Sequence, residues 1–297
     1  MKHCLGNAAA AMECQGVSYA YEEGTLALKE IDLTIRQGEF VALLASNGSG
    51  KTTLIKVMAG LLKPKTGRVR VNGRPIHKLS PKVLYQQVGL VLQNPKDQLF
   101  GATVAEDVAF GPRNLGLPED EIQCRVARSL EQVGAAGFAR RAIHHLSFGE
   151  QKRVALAGVL AMGPSILLLD EATAGLDPAG ETQMMLLLNR LNREQGIAVI
   201  FATHLVDMLP LFADRVCVLD HGQVLRCEAV GEIFRDHAML EKAGLRMPYV
   251  TSLFHDMQRL DRVPVSGLPL TVREARAELL SLIPEELLMK IDARNAT

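Results

Sequence analysis

The sequence predicts a doubly wound α/β core beside an antiparallel β subdomain, with a helical insertion and a small, mostly helical C-terminal appendage. Three observations carry this. An apolar run, Phe40 to Ala45, breaks into Ser46-Asn47-Gly48-Ser49-Gly50 and meets Lys51-Thr52-Thr53 at the head of a helical pattern. A second apolar run, Ile166 to Leu169, ends in the adjacent carboxylates Asp170 and Glu171. Elsewhere, short apolar runs alternate with helical periodicity, the pattern of parallel strands joined by crossover helices.

The elements follow in order. The leader to about Glu13 reads as disordered, and its His3-Cys4 pair as a frayed tail and not a metal site. Gln15 to Tyr21 and Leu28 to Ile35 alternate apolar and polar residues around a Glu22-Glu23-Gly24-Thr25 turn, as antiparallel strands do. After the first loop and helix, Gly67 to Val71 with Asn72-Gly73 forms a strand and turn, and Val88 to Leu92 a buried strand. Thr103 to Phe110, Glu119 to Val133 and Gly137 to His144 are candidate helices, separated by Gly111-Pro112 and Gly116-Leu117-Pro118. A helix from Ser147 or its neighbours runs to Ala161. Strand Ile166 to Leu169, helix Gly180 to Glu194, strand Ala198 to Ala202, a short helix and strand Arg215 to Leu219 come next. A hairpin at His221-Gly222 closes the sheet. Beyond about Asp236, Thr271-Val272-Arg273-Glu274 reads as a capping box opening a helix to about Leu282, and Pro284 can start another before Glu285-Glu286-Leu287-Leu288.

Composition narrows the function. The 297 residues fit one large domain with an appendage, and 48% hydrophobic content supports a substantial core. Lys+Arg and Asp+Glu are equal at 33 each, which removes the electrostatic footprint of a nonspecific nucleic-acid binder and leaves only a local basic patch open. Five cysteines (Cys4, Cys14, Cys124, Cys217, Cys227) are scattered without Cys-x-x-Cys spacing, as suits a reducing compartment. No uninterrupted apolar run is long enough to cross a bilayer, since Ile197 to Leu219 is broken by His204, Asp207, Pro210, Asp214 and Arg215. Ala8 to Met12 is too short for a signal core. A soluble, cytosolic chain is expected, which leaves docking on a membrane protein open.

Two motifs carry chemistry. In the first, glycines let backbone N–H groups converge on an anion, the helix N-terminus adds partial positive charge, and Lys51 adds a full one. The Thr52 hydroxyl is then placed to hold magnesium. The phosphate-loop pattern Gly-x-x-x-x-Gly-Lys-Ser/Thr begins here with Ala45, which costs about 1 kcal/mol only if that position needs a positive φ. In the second, the Asp170-Glu171 pair is electrostatically awkward without a cation. Nucleotide-bound magnesium answers that for Asp170, and Glu171 can polarise an attacking water as general base.

Leu146-Ser147-Phe148-Gly149-Glu150-Gln151 adds a hydroxyl, a glycine and another helix start, a second anion site that a second copy is expected to supply. With the glycine-rich loop, the Asp-Glu strand and Thr203-His204, this ordered set resembles the ATP-binding cassette (ABC) ATPases over about Cys14 to Asp236. The resemblance implies a P-loop NTPase fold: a RecA-like core over residues 14–236 with a helical subdomain at about 94–160, and an appendage over 237–297. It implies a head-to-tail dimer trapping ATP and Mg2+. By the resemblance, Tyr21 stacks on adenine, with Tyr19 the competing stacker. Ser46, Asn47, Gly48, Ser49, Gly50, Lys51, Thr52 and Thr53 hold the phosphates, with Thr52, Gln93 and Asp170 around magnesium. Ser147 and Gly149 cap the partner's γ-phosphate, Asp177 speaks across the dimer, and His204 and Gln93 complete the catalytic set with Glu171. Phe148 departs from the usual Leu-Ser-Gly-Gly-Gln.

Asn94-Pro95-Lys96-Asp97-Gln98-Leu99-Phe100 and Thr103 to Pro112 look like the energy-coupling-factor ATPases, and among them the cobalt/nickel importers. That implies a second ATPase subunit (a homodimer), an integral membrane scaffold meeting Gln93 to Leu117, a separate substrate-binding membrane subunit, no nucleic acid, and a peripheral position on the cytoplasmic face of the membrane. A vitamin importer motor of the same mechanism and a soluble ABC ATPase are the alternatives. The eight histidines show no ligand cluster, and His144-His145 reads as a polar helix end.

Overall fold

The computed structural model of the chain describes residues 9–283. Alternating strands β1 (Ala10–Ala20) and β2 (Leu26–Arg36) pair antiparallel. β3 (Phe40–Leu44), apolar throughout, is buried along its length and delivers the chain through the glycine-rich loop into α1 (Lys51–Met58). β4 (Thr66–Val71) and β5 (Arg74–Pro75) complete a four-stranded sheet of order β2-β1-β4-β5. α2 (Pro81–Gln87) leads into β6 (Val88–Val91), after which α3 (Val104–Leu115), α4 (Glu119–Gln132) and α5 (Phe148–Leu160) form the helical insertion. β7 (Ile166–Asp170), α6 (Pro178–Gln195), β8 (Ala198–Thr203), α7 (Leu209–Phe212), β9 (Arg215–Asp220) and β10 (Gln223–Ala229) follow. The second sheet has the order β10-β9-β3-β8-β7-β6 and is parallel except for β10. α8 (Val230–Phe234), α9 (His237–Lys242), α10 (Tyr249–Arg259) and α11 (Val272–Ser281) end the described chain.

The parallel strands are buried on both faces, which is why they read as continuous apolar runs. Phe40, Ala42, Leu44, Leu167, Leu169 and Phe201 face one core with α3 to α6. Val41, Leu43, Ile166, Leu168 and Ile200 face the other, with α1 and the antiparallel sheet. Phe254, Val265 and Ala275 form a separate small cluster between the last two helices.

Several expectations are corrected. β1 starts at Ala10, inside the leader expected to be disordered, because Met12 and Cys14 are buried against the two neighbouring strands. α3 runs through Gly111-Pro112 to a left-handed cap at Gly116. Pro112 removes one helical donor, but Val104, Val108 and Pro112 form one buried stripe, and that burial outweighs the lost bond. No helix spans Gly137 to His144. The backbone at Ala139 and Arg141 instead accepts the N–H groups of Ala105 and Val104 at the open start of α3, leaving short 3-10 turns at Ala136–Phe138 and Ile143–His145. His144 and His145 therefore lie on such a turn, ring against ring at 4.2 Å, and not at a helix end.

Thr271 accepts the Glu274 N–H as expected, but Glu274 accepts from Leu270 and not from Thr271, so only half the capping box forms. Cys217 and Cys227 lie directly opposite in the β9–β10 register and form a disulfide, where scattered reduced thiols were expected. Pro284 to Leu288, His3 and Cys4 lie outside the described residues.

Asp107, buried at the start of α3, accepts the N–H groups of Phe100 and Gly101, each at 2.8 Å, and pins that segment down. Asp107→Ala leaves two donors unpaired and should lower unfolding free energy by about 2 kcal/mol, read from urea denaturation. An unchanged midpoint contradicts this account.

Candidate active site

The loop between β3 and α1 is built for close backbone approach. Gly48 and Gly50 have φ of +79° and +97°, and a Cβ on Gly50 would come within 2.6 Å of the Ala27 carbonyl. Ser46 and Ser49 share a hydroxyl hydrogen bond of 2.8 Å across the turn. Ala45 is fully buried and is not among the residues at positive φ, so alanine costs nothing at the position where the phosphate-loop pattern carries glycine.

Lys51 opens α1. Its Nζ donates to the Ala45 carbonyl at 2.9 Å and the Ser46 carbonyl at 3.2 Å, and lies 4.0 Å from Glu171 Oε1. Burial pulls its pKa below the usual lysine range, opposed by the charges of Glu171 and Asp170. Glu171, just past the end of β7, is held in the left-handed region at φ +47°, and its N–H is fixed on the Ala202 carbonyl. Gln93 Nε2 donates to Glu171 Oε2 at 3.0 Å, and His204 Nδ1 lies 3.6 Å from Oε1. Gln93, the end of β7 and His204 thus converge on one carboxylate from three strand ends.

Asp170 is 4% exposed, and its Oδ1 has no hydrogen-bond partner. Burial raises its pKa above the carboxylate range; a hydrogen bond from Thr52 opposes this and the Glu171 charge adds to it. A buried carboxylate oxygen without a partner beside a hydroxyl is what a hard divalent cation requires. Thr52 and Asp170 therefore fit Mg2+, with Gln93 at the same rim.

A cavity of about 840 Å³ gathers Tyr21, Ser46, Asn47, Gly48, Gly50, Lys51, Thr52, Thr53, Gln93, Glu171 and His204. Ser49 is buried within the loop, while Tyr19, on β1, is half-buried against the core with its ring edge-on to Tyr21 at 5.1 Å. The Tyr21 hydroxyl is hydrogen-bonded to Thr53 Oγ1 at 2.9 Å. Ser147, Gly149 and Asp177 do not join this cavity. They line a second one of about 960 Å³, where Ser147 caps α5 in a reciprocal capping box with Glu150 and Asp177 caps α6. Phe148 is about one-third exposed and rests on Gly175 in that second cavity.

Two contributions escaped sequence reasoning. Gly244, Leu245 and Arg246, far along the chain, line the first cavity. Lys152 is 2% exposed and donates to the Glu171 and Ala172 carbonyls at 3.2 and 3.0 Å, with its ammonium 5.2 Å from the Phe148 ring centre. A lysine on the buried stripe shared with Leu156 and Val159 is the signal that could have marked it.

An α/β core with a phosphate loop and, one strand removed across β8, a carboxylate-tipped strand, flanked by an antiparallel sheet and a helical insertion, defines a cassette ATPase. A family model described as ABC transporter matches residues 28–174, and the chain belongs to that family. The energy-coupling factor transporter ATP-binding protein EcfA of Methanocaldococcus jannaschii is 43% identical over 93% of this chain and 99% of its own length. The structure of cbiO1 from Clostridium perfringens, part of the ABC transporter complex cbiONQ, matches at a TM-score of 0.71 and 42% identity over 83% of this chain and 99% of that one. A dimeric bacterial ABC transporter cassette, MJ0796, matches at 0.67 and 31% identity over 74% and 98% of the two chains. Among the described residues, no helix is long and apolar enough to cross a membrane, and no group of three or more His, Cys, Asp or Glu side chains forms a metal site.

Burial lowers the Lys152 pKa from 10.5 to about 8, with the Glu171 charge opposing. Between those values the unfolded chain binds more protons than the folded one, so stability rises with pH. From pH 8 to 10.5 the parent should gain up to about 3 kcal/mol relative to Lys152→Met, read by urea unfolding. Parallel pH profiles would refute the buried charge.

Proposed function

We propose that the chain is the ATP-hydrolysing motor subunit of an energy-coupling-factor importer of cobalt or nickel ions, acting as a head-to-tail homodimer on the cytoplasmic face of the membrane. The observation that carries the motor reading is the division of the site. Cradle and catalytic carboxylate line one cavity, while Ser147, Gly149 and Asp177 line another. A triphosphate held by one copy then needs the other copy's Ser147 and Gly149 to be enclosed. The likeness to a cassette solved as a dimer supports this arrangement. The likeness to cbiO1, together with the Asn94 to Phe100 segment, supports metal-ion import.

In this reading Tyr21 stacks on adenine, and Ser46 to Thr53 surround the phosphates with backbone donors. Lys51 turns its ammonium toward the β- and γ-phosphates. Thr52, Asp170 and Gln93 would hold Mg2+, which would supply neutralising charge to the phosphates. Glu171, oriented by Gln93, takes a proton from water as the water oxygen attacks the γ-phosphorus; the bond to the bridging oxygen breaks and ADP leaves. His204, whose Nδ1 lies 3.6 Å from Glu171 Oε1, contacts the γ-phosphate and holds the geometry with Glu171, and Asp177 links the two sites across the dimer.

A groove of about 590 Å³ beside this machinery, lined by Tyr85, Gln98, Phe100, Phe110 and Leu115, suits coupling helices of a membrane scaffold. Phe100 and Phe110 are exposed and meet edge to face at 4.5 Å. The groove is wired to the site through Gln98, which accepts from Leu92 N–H at 2.9 Å next to Gln93. A separate membrane subunit selects the ion.

Glu171→Gln should retain ATP binding and accumulate a closed dimer while turnover falls by about 10²-fold or more. Lys51→Ala should weaken nucleotide binding itself. Parental turnover in Glu171→Gln removes the general-base role. Uptake assays with co-purifying membrane subunits test the cargo: vitamin uptake without metal uptake would replace the metal reading and leave the motor intact.

A further inference from the structure

The C-terminal segment after α9 reaches the nucleotide cavity by a turn that depends on one glycine. Gly244 (φ +65°) ends α9 with its N–H on the Glu241 carbonyl and the Leu245 N–H on the Leu240 carbonyl. The reversal brings Gly244 against Ser46 of the phosphate loop, a Cβ there lying 3.9 Å from the Ser46 Cβ. Arg246 then meets Asp207, which stands three residues past His204 in the loop after β8. Asp207 Oδ2 accepts from Arg246 Nη2 at 2.5 Å, and its Oδ1 accepts from the Tyr249 N–H at 2.7 Å. The guanidinium also donates to the Met247 carbonyl at 3.1 Å and lies 4.0 Å from the centre of the Tyr249 ring.

A lone pair this exposed contributes little to stability. Here, however, both carboxylate oxygens are engaged by one turn, and the Tyr249 N–H is the first donor of α10, where a carboxylate is favoured by the helix dipole. The loop that carries His204 is therefore tied on its far side to the start of α10.

We propose that Arg246 and Asp207 form a latch that positions the His204 loop, so that the C-terminal helices set the geometry of ATP hydrolysis. Both are positioning residues. The inference rests on His204 contacting the γ-phosphate, as in the function proposed above.

The test uses the full chain with steady-state ATPase kinetics and fluorescent-nucleotide affinity for Arg246→Ala, Arg246→Lys, Asp207→Asn and the double variant Arg246→Ala/Asp207→Asn. Arg246→Ala should lower kcat about fivefold, with ATP affinity within about twofold of parent, and Arg246→Lys should recover about half the loss. The double variant should be no slower than Arg246→Ala. Parental kcat in Arg246→Ala, or losses that multiply in the double variant, would overturn the latch. Loss of nucleotide affinity at unchanged kcat would overturn it too, making Arg246 a direct ligand. Should Arg246→Ala fail to fold, the near-isosteric Asp207→Asn should lower kcat at near-parental affinity, and parental kcat or a loss of affinity at unchanged kcat in that variant overturns the latch. A parental chain without ATPase activity, or full activity in a His204→Ala variant, defeats the reading of the site itself, whereas failure of the latch alone leaves both controls normal.

Discussion

A buried ammonium governs this molecule. Lys51 is 7% exposed, tied to the carbonyls of its own loop and 4.0 Å from Glu171. Holding that charge out of water is costly, and a polyphosphate compensates it more fully than two carbonyl oxygens can. The strand order makes the position available. β3 lies between β8 and β9, with β7 beyond β8, so the strand ends bearing Lys51, Glu171 and His204 open onto one crevice. Gly50 permits the loop to pass the Ala27 carbonyl, and the antiparallel sheet closes the far wall with Tyr21.

Lys152 links this crevice to the second cavity. Its ammonium fixes the Glu171 and Ala172 carbonyls on one side and lies beside the Phe148 ring on the other. The left-handed backbone of Glu171, a conformation that disfavours residues with a Cβ, is thereby held by a residue of the helix that Ser147 caps. The two cavities are mechanically joined although no residue lines both.

Much of this was legible in the sequence because it is local. The phosphate loop, the apolar strand ending in Asp170-Glu171 and the Ser147 cap are each written in consecutive residues, and their elements appear where periodicity puts them. What escaped is governed by tertiary contact. The Cys217–Cys227 pairing follows from hairpin register, and the turns around Ala139 and Arg141 follow from open donors at α3. The Arg246–Asp207 pair joins residues 39 apart with no pattern between them. α2 was missed despite a readable start, Ser80 accepting from Val83 N–H ahead of Pro81 at the first helical position. At the two departures from familiar motifs, Ala45 sits outside the positive-φ region and Phe148 lines the second cavity beside Ser147 and Gly149.

The central claim is that a triphosphate is enclosed by two chains. Its most direct test mixes a chain carrying Asn47→Cys with one carrying Ser147→Cys, both in the Glu171→Gln background, and maps links from a short thiol cross-linker by mass spectrometry. The account predicts an ATP-dependent link between the two chains. A link of equal yield without ATP, or one that forms within a single diluted chain bearing both cysteines, would contradict it.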